Sequence, residues 1–243
     1  MIQRAAGGAR AVAGVGTEAR RALRLWRELA AARAARVDAL LADRRLLRLA
    51  DDFAAKGALG AARSLLRLRA QLEPSAVYAG LRASPRAAHW TVFRPHAPVS
   101  GDVAGTWRQG GACVWRVTVQ RAGRGRRSRI EQAMLLEVSD HALGRLLQRS
   151  PGVGIDAVLT DAYRSVTVRQ LVVAQPRRLL IPAGDGAFLA EHHAACGDDG
   201  RVVTFFRAST WLSADQMEDD QGERVEALRA LGRAVGSRPI CNF

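Results

Sequence analysis

Residues 112–150 read ACVWRVTVQRAGRGRRSRIEQAMLLEVSDHALGRLLQRS, and the periodicity of this run decides the fold. Cys113, Trp115, Val117 and Val119 alternate with Val114, Arg116, Thr118 and Gln120. A period of two is the signature of a strand whose faces meet different surroundings. The alternation stops at Arg121-Ala122-Gly123-Arg124-Gly125-Arg126-Arg127-Ser128-Arg129, a turn carrying five arginines. A second β-type run extends from Ile130 to Val138, so the two runs predict a hairpin. The pattern then becomes helical. Ser139 or Asp140 can cap free backbone N–H groups. Leu143, Leu146 and Leu147 form an apolar stripe, and His141, Arg145 and Arg149 recur every fourth residue, which places them on one helical face. Pro151 ends the helix.

Downstream, a further helix is predicted from about Ile155 to Tyr163. Strands are predicted near Thr167–Val173, over Arg178–Ile181 with Gly186–His193, and over Arg201–Ala208. A last helix covers about Gly222–Val235, with Glu218, Asp219, Asp220 and Glu223 around its start, where the helix dipole favours negative charge. Upstream, residues 17–73 are helical in pattern: Trp26, Leu29, Ala30, Ala34, Val37 and Leu41 recur at three- and four-residue spacing. Second and third helices are expected around Leu46–Phe53 and Leu59–Leu72. Pro74, Pro85, Pro95 and Pro98, then Gly101, Gly105, Gly110 and Gly111, punctuate residues 74–111.

The order of strands, two helices, strands and a helix gives an α+β chain: an N-terminal helical region, then a mainly antiparallel sheet with two packed helices. The expected organisation is a disordered basic tail over 1–16, a helical region over 17–85, a linker over 86–111 containing one short strand (Trp90–Phe93), and an α+β domain over 112–243.

The chain has 243 residues with 37 Lys+Arg against 23 Asp+Glu, a formal net charge of +14. Such an excess attracts polyanions. Lys56 is the single lysine, so 36 of the cations are arginines, which fork onto phosphate and stack on bases. Coding from a GC-rich genome explains the choice of arginine over lysine better than it explains the net charge. Cys113, Cys196 and Cys241 are scattered and odd in number, which argues against a disulfide framework or a zinc site and favours a reducing cytoplasm. No apolar run is long enough to span a membrane, and residues 1–16 lack the continuous apolar core of a secretory signal.

The common signatures of phosphate loops, dinucleotide folds, serine hydrolases and zinc proteases are absent. Gly152-Val153-Gly154 and Gly184-Asp185-Gly186 read as turns. His192 and His193 are strand neighbours that point to opposite faces and do not readily share a metal. Trp107 and Trp115 could stack on bases, although a strand tryptophan is more often core. The chemistry-bearing candidates are therefore the His141 helix and the arginine loop. A solvated basic helix face is the ordinary alternative for the first, and a solvated hairpin tip for the second.

The run VSDHALGRLLQRS (138–150), the later DAVLTDA (156–162), GAFLAEH (186–192) and VVTFFRAST (202–210) resemble the RelE-like small ribonuclease toxins. These have an HAxxRxxxR-type helix, a short second helix and an antiparallel sheet. The resemblance covers about residues 130–211. It implies that His141, Arg145, Arg149, Arg207 and Ser209 or Thr210 handle a scissile phosphate. The helical N-terminus, the extra hairpin and the acidic segment near 218–223 depart from that pattern. Metal-free RNA cleavage would use the 2′-hydroxyl as nucleophile, histidine for proton transfer and arginine for phosphorane charge.

Two readings result. One is a cytoplasmic nucleic-acid-binding protein that cleaves RNA without metal or cofactor. The other is a non-catalytic structural or regulatory protein, such as a prophage or mobile-element accessory, that binds RNA, DNA or an acidic protein. RNA is favoured over DNA, and no membrane partner is expected. The expected backbone-gripping residues are Arg121, Arg124, Arg126, Arg127 and Arg129, acting without sequence preference.

Overall fold

The computed structural model describes residues 5–42, 82–83, 87–96, 111–120, 129–171, 178–196 and 202–236. Helix α1 runs Ala5–Ala42. Strands β1 (Arg82–Ala83), β2 (Ala87–His96), β3 (Gly111–Gln120) and β4 (Arg129–Ser139) come after it. Next come α2 (Asp140–Arg149) and α3 (Ile155–Leu171), then β5 (Arg178–Ala183), β6 (Gly186–Cys196) and β7 (Val202–Ser213). A 3-10 turn at Ala214–Gln216 leads into α4, Asp219–Gly236. This is the α+β architecture that the change of period in 112–150 predicts.

The strands form one sheet in the order β1-β2-β3-β4-β7-β6-β5. Both halves are antiparallel meanders. The chain leaves the sheet after β4 through α2 and α3, re-enters at the far edge as β5, and winds back until β7 lies parallel to β4. There Leu136, Glu137 and Val138 sit opposite Phe206, Arg207 and Ala208.

One face of the sheet carries the core. Val114, Leu136, Val138, Phe206, Ala208 and Phe188 pack against Leu143 and Leu146 of α2 and Val158, Leu159 and Val166 of α3. Trp211 is fully buried in the same cluster, and its indole N–H donates to the Ala183 carbonyl at 3.0 Å. Helix α1 docks on this layer through Ala19, Leu23, Trp26, Ala30 and Ala34, all buried, a stripe at i, i+4, i+7, i+11 and i+15.

The structure departs from expectation in three places. The 86–111 stretch holds a ten-residue strand, β2, that pairs with β3 along its whole length. Pro95 stands opposite Ala112 near the end of this ladder, and β1, which reaches only Ala88 and His89, does not extend to it, a strand-end position that accommodates proline. Where a strand is expected near Thr167–Val173, residues 167–171 are instead the end of α3, and Val172 and Val173 fall outside the described residues. Burial of Ala162 and Val166 overrides the weak β-preference of the Val-Thr-Val run. The segment expected as a tail belongs to α1 from Ala5 onward, in keeping with its many alanines. The second and third N-terminal helices fall outside the described residues. No described helix is long and apolar enough to cross a membrane.

Candidate functional site

Ser139 builds the start of α2. Its hydroxyl accepts from the Ala142 N–H at 3.2 Å and donates to the Ser209 carbonyl at 3.2 Å, which fixes the helix to β7. Burial of Ala142, Leu143, Leu146 and Leu147 turns His141, Arg145 and Arg149 outward, all three exposed. The stripe expected from the sequence therefore exists, but its members differ. Arg149 donates to the Trp211 carbonyl at 3.1 Å and to the Gln216 side chain, so it holds the end of α2 to the end of β7. His141 and Arg145 make no such contact among the described residues.

Helix α1 lies beside this face, held by the acids that open α2 and α3. Arg27 pairs with Asp140. The two carboxylate oxygens of Asp156 accept from the Trp26 indole and from Arg33, each at 2.7 Å. Arg20, Arg24 and Arg27 share one flank of α1, at i, i+4 and i+7. Because Arg27 reaches Asp140, that flank borders the start of α2, where His141 is the next residue. Arg20, Arg21 and Arg24 are exposed, and Arg24 makes only a surface pair with Glu28 at 3.1 Å. The result is a basic strip across two helices, in which Arg20, Arg24, His141 and Arg145 face solvent and Arg27 is partly buried against Asp140.

Arg207 is elsewhere. Phe206 and Ala208 point into the helix-covered core, so Arg207 between them projects from the opposite face of the sheet. There it donates to Glu137 at 2.8 Å and lies 5.8 Å from the Phe205 ring centroid. Ladder register extends this into a row across five strands: Cys113, Glu137, Arg207, Glu191 and Arg178. Arg178 closes the row with a 3.0 Å bond to Glu191. The structure therefore brings His141 and Arg145 together, and it separates Arg207 from them by the thickness of the sheet. Ser209 lies at the β6–β7 irregularity and Thr210 opposite Leu189. Arg129 is the first residue of β4. Arg121, Arg124, Arg126 and Arg127 fall outside the described residues.

The histidine pair behaves as strand geometry requires. His192 meets Phe206 edge-on, with centroids 5.6 Å apart, while His193 stacks on Phe205 at 5.9 Å on the other face. Burial, reinforced by Arg207, lowers the His193 pKa below the ordinary value. The ion-pair row and the docking of α1 by Asp140 and Asp156 were missed by sequence reasoning. Both depend on pairings across many residues that no local spacing encodes. No family model, curated protein or solved structure matches this chain.

Proposed function

We propose that the protein binds nucleic acid through its helical layer and acts as a binding protein rather than a nuclease. The observation that carries this reading is the basic strip on α1 and α2, with Arg20, Arg24 and Arg145 presented to solvent. Guanidinium groups spaced along adjoining helices suit successive phosphates, and the net charge of +14 supplies long-range attraction. Cleavage would need more. A general base and the cations that stabilise a phosphorane must converge on one phosphate. His141 and Arg145 are together, but Arg149 is engaged at the end of β7 and Arg207 serves Glu137 on the other face. That arrangement favours gripping the backbone over breaking it.

The test is anisotropy with fluorescent single-stranded RNA and duplex DNA across a salt series. Binding should weaken log-linearly with salt, because neutralised phosphates release counterions, with a slope of about −0.7 to −0.9 per phosphate contact. Replacing Arg20, Arg24 and Arg145 with alanine should flatten that slope by about 2 to 3 and leave the fold intact. Salt-independent binding, or an unchanged slope in the triple variant, would remove the proposal. Cleavage of the RNA in EDTA that disappears in His141→Ala would convert the strip into an active site.

A further inference from the structure

Beside the sheet edge lies an apolar groove of about 700 Å³. Its floor is Leu180, Leu189 and Leu212, on the face away from the main core. Its wall is α4, through Arg224, Leu228 and Leu231. The volume falls in the range of ligand pockets, yet the shape is that of a hollow beside a ridge. Leu231 stands 54% exposed on the ridge, an unusual exposure for a leucine next to so much apolar surface. The charged residues lining it are Arg178 and Arg224, and each is in a balanced pair: Arg178 with Glu191 at 3.0 Å and Arg224 with Asp220 at 3.1 Å.

We infer that this groove is the contact with a second copy of the chain, formed about a two-fold axis near Ala227. Three features fit that occupant. A two-fold contact uses the same patch twice and must be self-complementary. Here knob and hollow adjoin on one surface, so the Leu231 ridge of each copy can enter the hollow of the other. The charge along α4 is also self-complementary. Asp219 and Asp220 lie in its first turn and Arg233 in its last, so antiparallel α4 helices place acid beside base at both ends. Third, two copies of net charge +14 repel over most of their surface. The segment 214–226 reverses that sign: Asp215, Glu218, Asp219, Asp220, Glu223 and Glu226 face the single Arg224. The same acids disfavour nucleic acid at this groove and leave it to the α1–α2 strip. Ala227, small and exposed at the middle of the ridge, lets two helices approach closely.

The experiment is sedimentation equilibrium of the full chain up to submillimolar concentration, in wild type and Leu231→Glu. The wild type should dimerise. The variant, placing an unpaired charge in the contact, should raise the dimer Kd about thirtyfold or more, the fold-change of an interface hot spot. A second variant, Ala227→Cys, should form a disulfide-linked dimer on mild oxidation, because an axis at this position brings the two Cα atoms within the ~7 Å that a disulfide needs. Arg145→Cys, on the basic strip, should not. A wild type that stays monomeric throughout overturns the proposal and assigns the groove to another occupant, such as a small apolar ligand. A dimer indifferent to Leu231→Glu overturns it equally, as does an Ala227→Cys variant that cross-links no more readily than Arg145→Cys. Should Leu231→Glu fail to fold by circular dichroism, the two cysteine variants decide. Loss of nucleic-acid binding does not affect this outcome, since the two surfaces share no residue.

Discussion

Replacing Trp26 with alanine should free α1 from the sheet without unfolding the rest. Trp26 is 8% exposed, and its companions on the docking stripe are Leu23 and three alanines. A buried tryptophan covers about 150–250 Å², worth roughly 4–6 kcal/mol at ~25 cal/mol per Å². Each alanine contributes little apolar area. Truncation of a core tryptophan removes about 3–5 kcal/mol, and the lost indole donor leaves one Asp156 oxygen without its 2.7 Å partner. Arg33 and Arg27 still reach Asp156 and Asp140, but such partly exposed pairs hold about 0–1 kcal/mol each. The remaining contacts, chiefly Leu23 and the small alanines, should hold the helix only weakly. Hydrogen exchange by mass spectrometry should show amides over 17–36 exchanging much faster in Trp26→Ala, while β4, β6 and β7 stay protected. Trp26→Phe keeps most of the area and should lose only about 1–2 kcal/mol. Nucleic-acid binding should fall with Trp26→Ala, because the basic strip needs α1 and α2 side by side. Unchanged protection over 17–36 would refute the claim that one anchor holds α1; loss of protection everywhere would refute its independence from the core.

Arg145→Ala should leave the denaturation midpoint within about 0.5 kcal/mol of wild type, whereas Arg149→Ala should lower stability by about 1 kcal/mol through its lost bond to the Trp211 carbonyl; urea titration separates them, and only Arg145→Ala should weaken RNA binding at unchanged stability. Gly186→Ala should be severely destabilising, since a Cβ there would collide with the Leu212 carbonyl oxygen and stand 2.5 Å from the Trp211 ring; a folded variant with wild-type melting would disprove that close approach. His193 gives a pH dependence with a definite sign. Its folded pKa lies below 6.5, so unfolding takes up a proton as pH drops below about 6.5, and stability is lost on acidification. His193→Gln should flatten that part of the stability–pH curve, and an identical slope in the variant would show that another group is responsible.

The fold was legible where one residue pattern had one interpretation. Alternation over 113–119 and the capped leucine stripe of α2 each match a single geometry, and β3, β4 and α2 lie where they predict. Strand β2 was obscured because Pro95 reads as a breaker until its ladder neighbours are known. The tail of α3 was obscured because Val-Thr-Val suits a strand. Upstream on that helix, the Thr160 and Ser165 hydroxyls bond back to the Asp156 and Asp161 carbonyls, at 2.7 and 3.3 Å, which reconciles hydroxyl residues with a helix interior. The site was half legible. His141 and Arg145 lie on one exposed face as their spacing requires. The position of Arg207 hinged on strand phase, and Phe205-Phe206 concealed it, since two adjacent aromatics look equally suited to the core. Both are in fact buried, 5% and 3% exposed, on opposite faces of the sheet.

That phase is what leads us to propose binding over cleavage. Were Phe205 the residue facing the helices, Arg207 would share their side of the sheet with His141, and a cationic pocket for a scissile phosphate would be a natural outcome. With Phe206 facing them, Arg207 instead becomes the middle of a row in which Glu137 and Glu191 flank it on the neighbouring strands. A guanidinium between two carboxylates has its charge locally compensated, and recruiting it to a phosphate would take that cation from the 12%-exposed Glu137 side chain, a costly state for a largely buried acid. Among the described residues, the exposed arginines with weak partners or none include Arg20, Arg21, Arg24 and Arg36 on α1, Arg145 on α2 and Arg233 on α4. These lie on convex helix surfaces that can follow a backbone, and they do not enclose a single phosphate. The pairing of Arg207 on one face of the sheet and the exposure of Arg20, Arg24 and Arg145 on the helical side are therefore the physical reasons behind our proposal of salt-dependent binding to a polyanion.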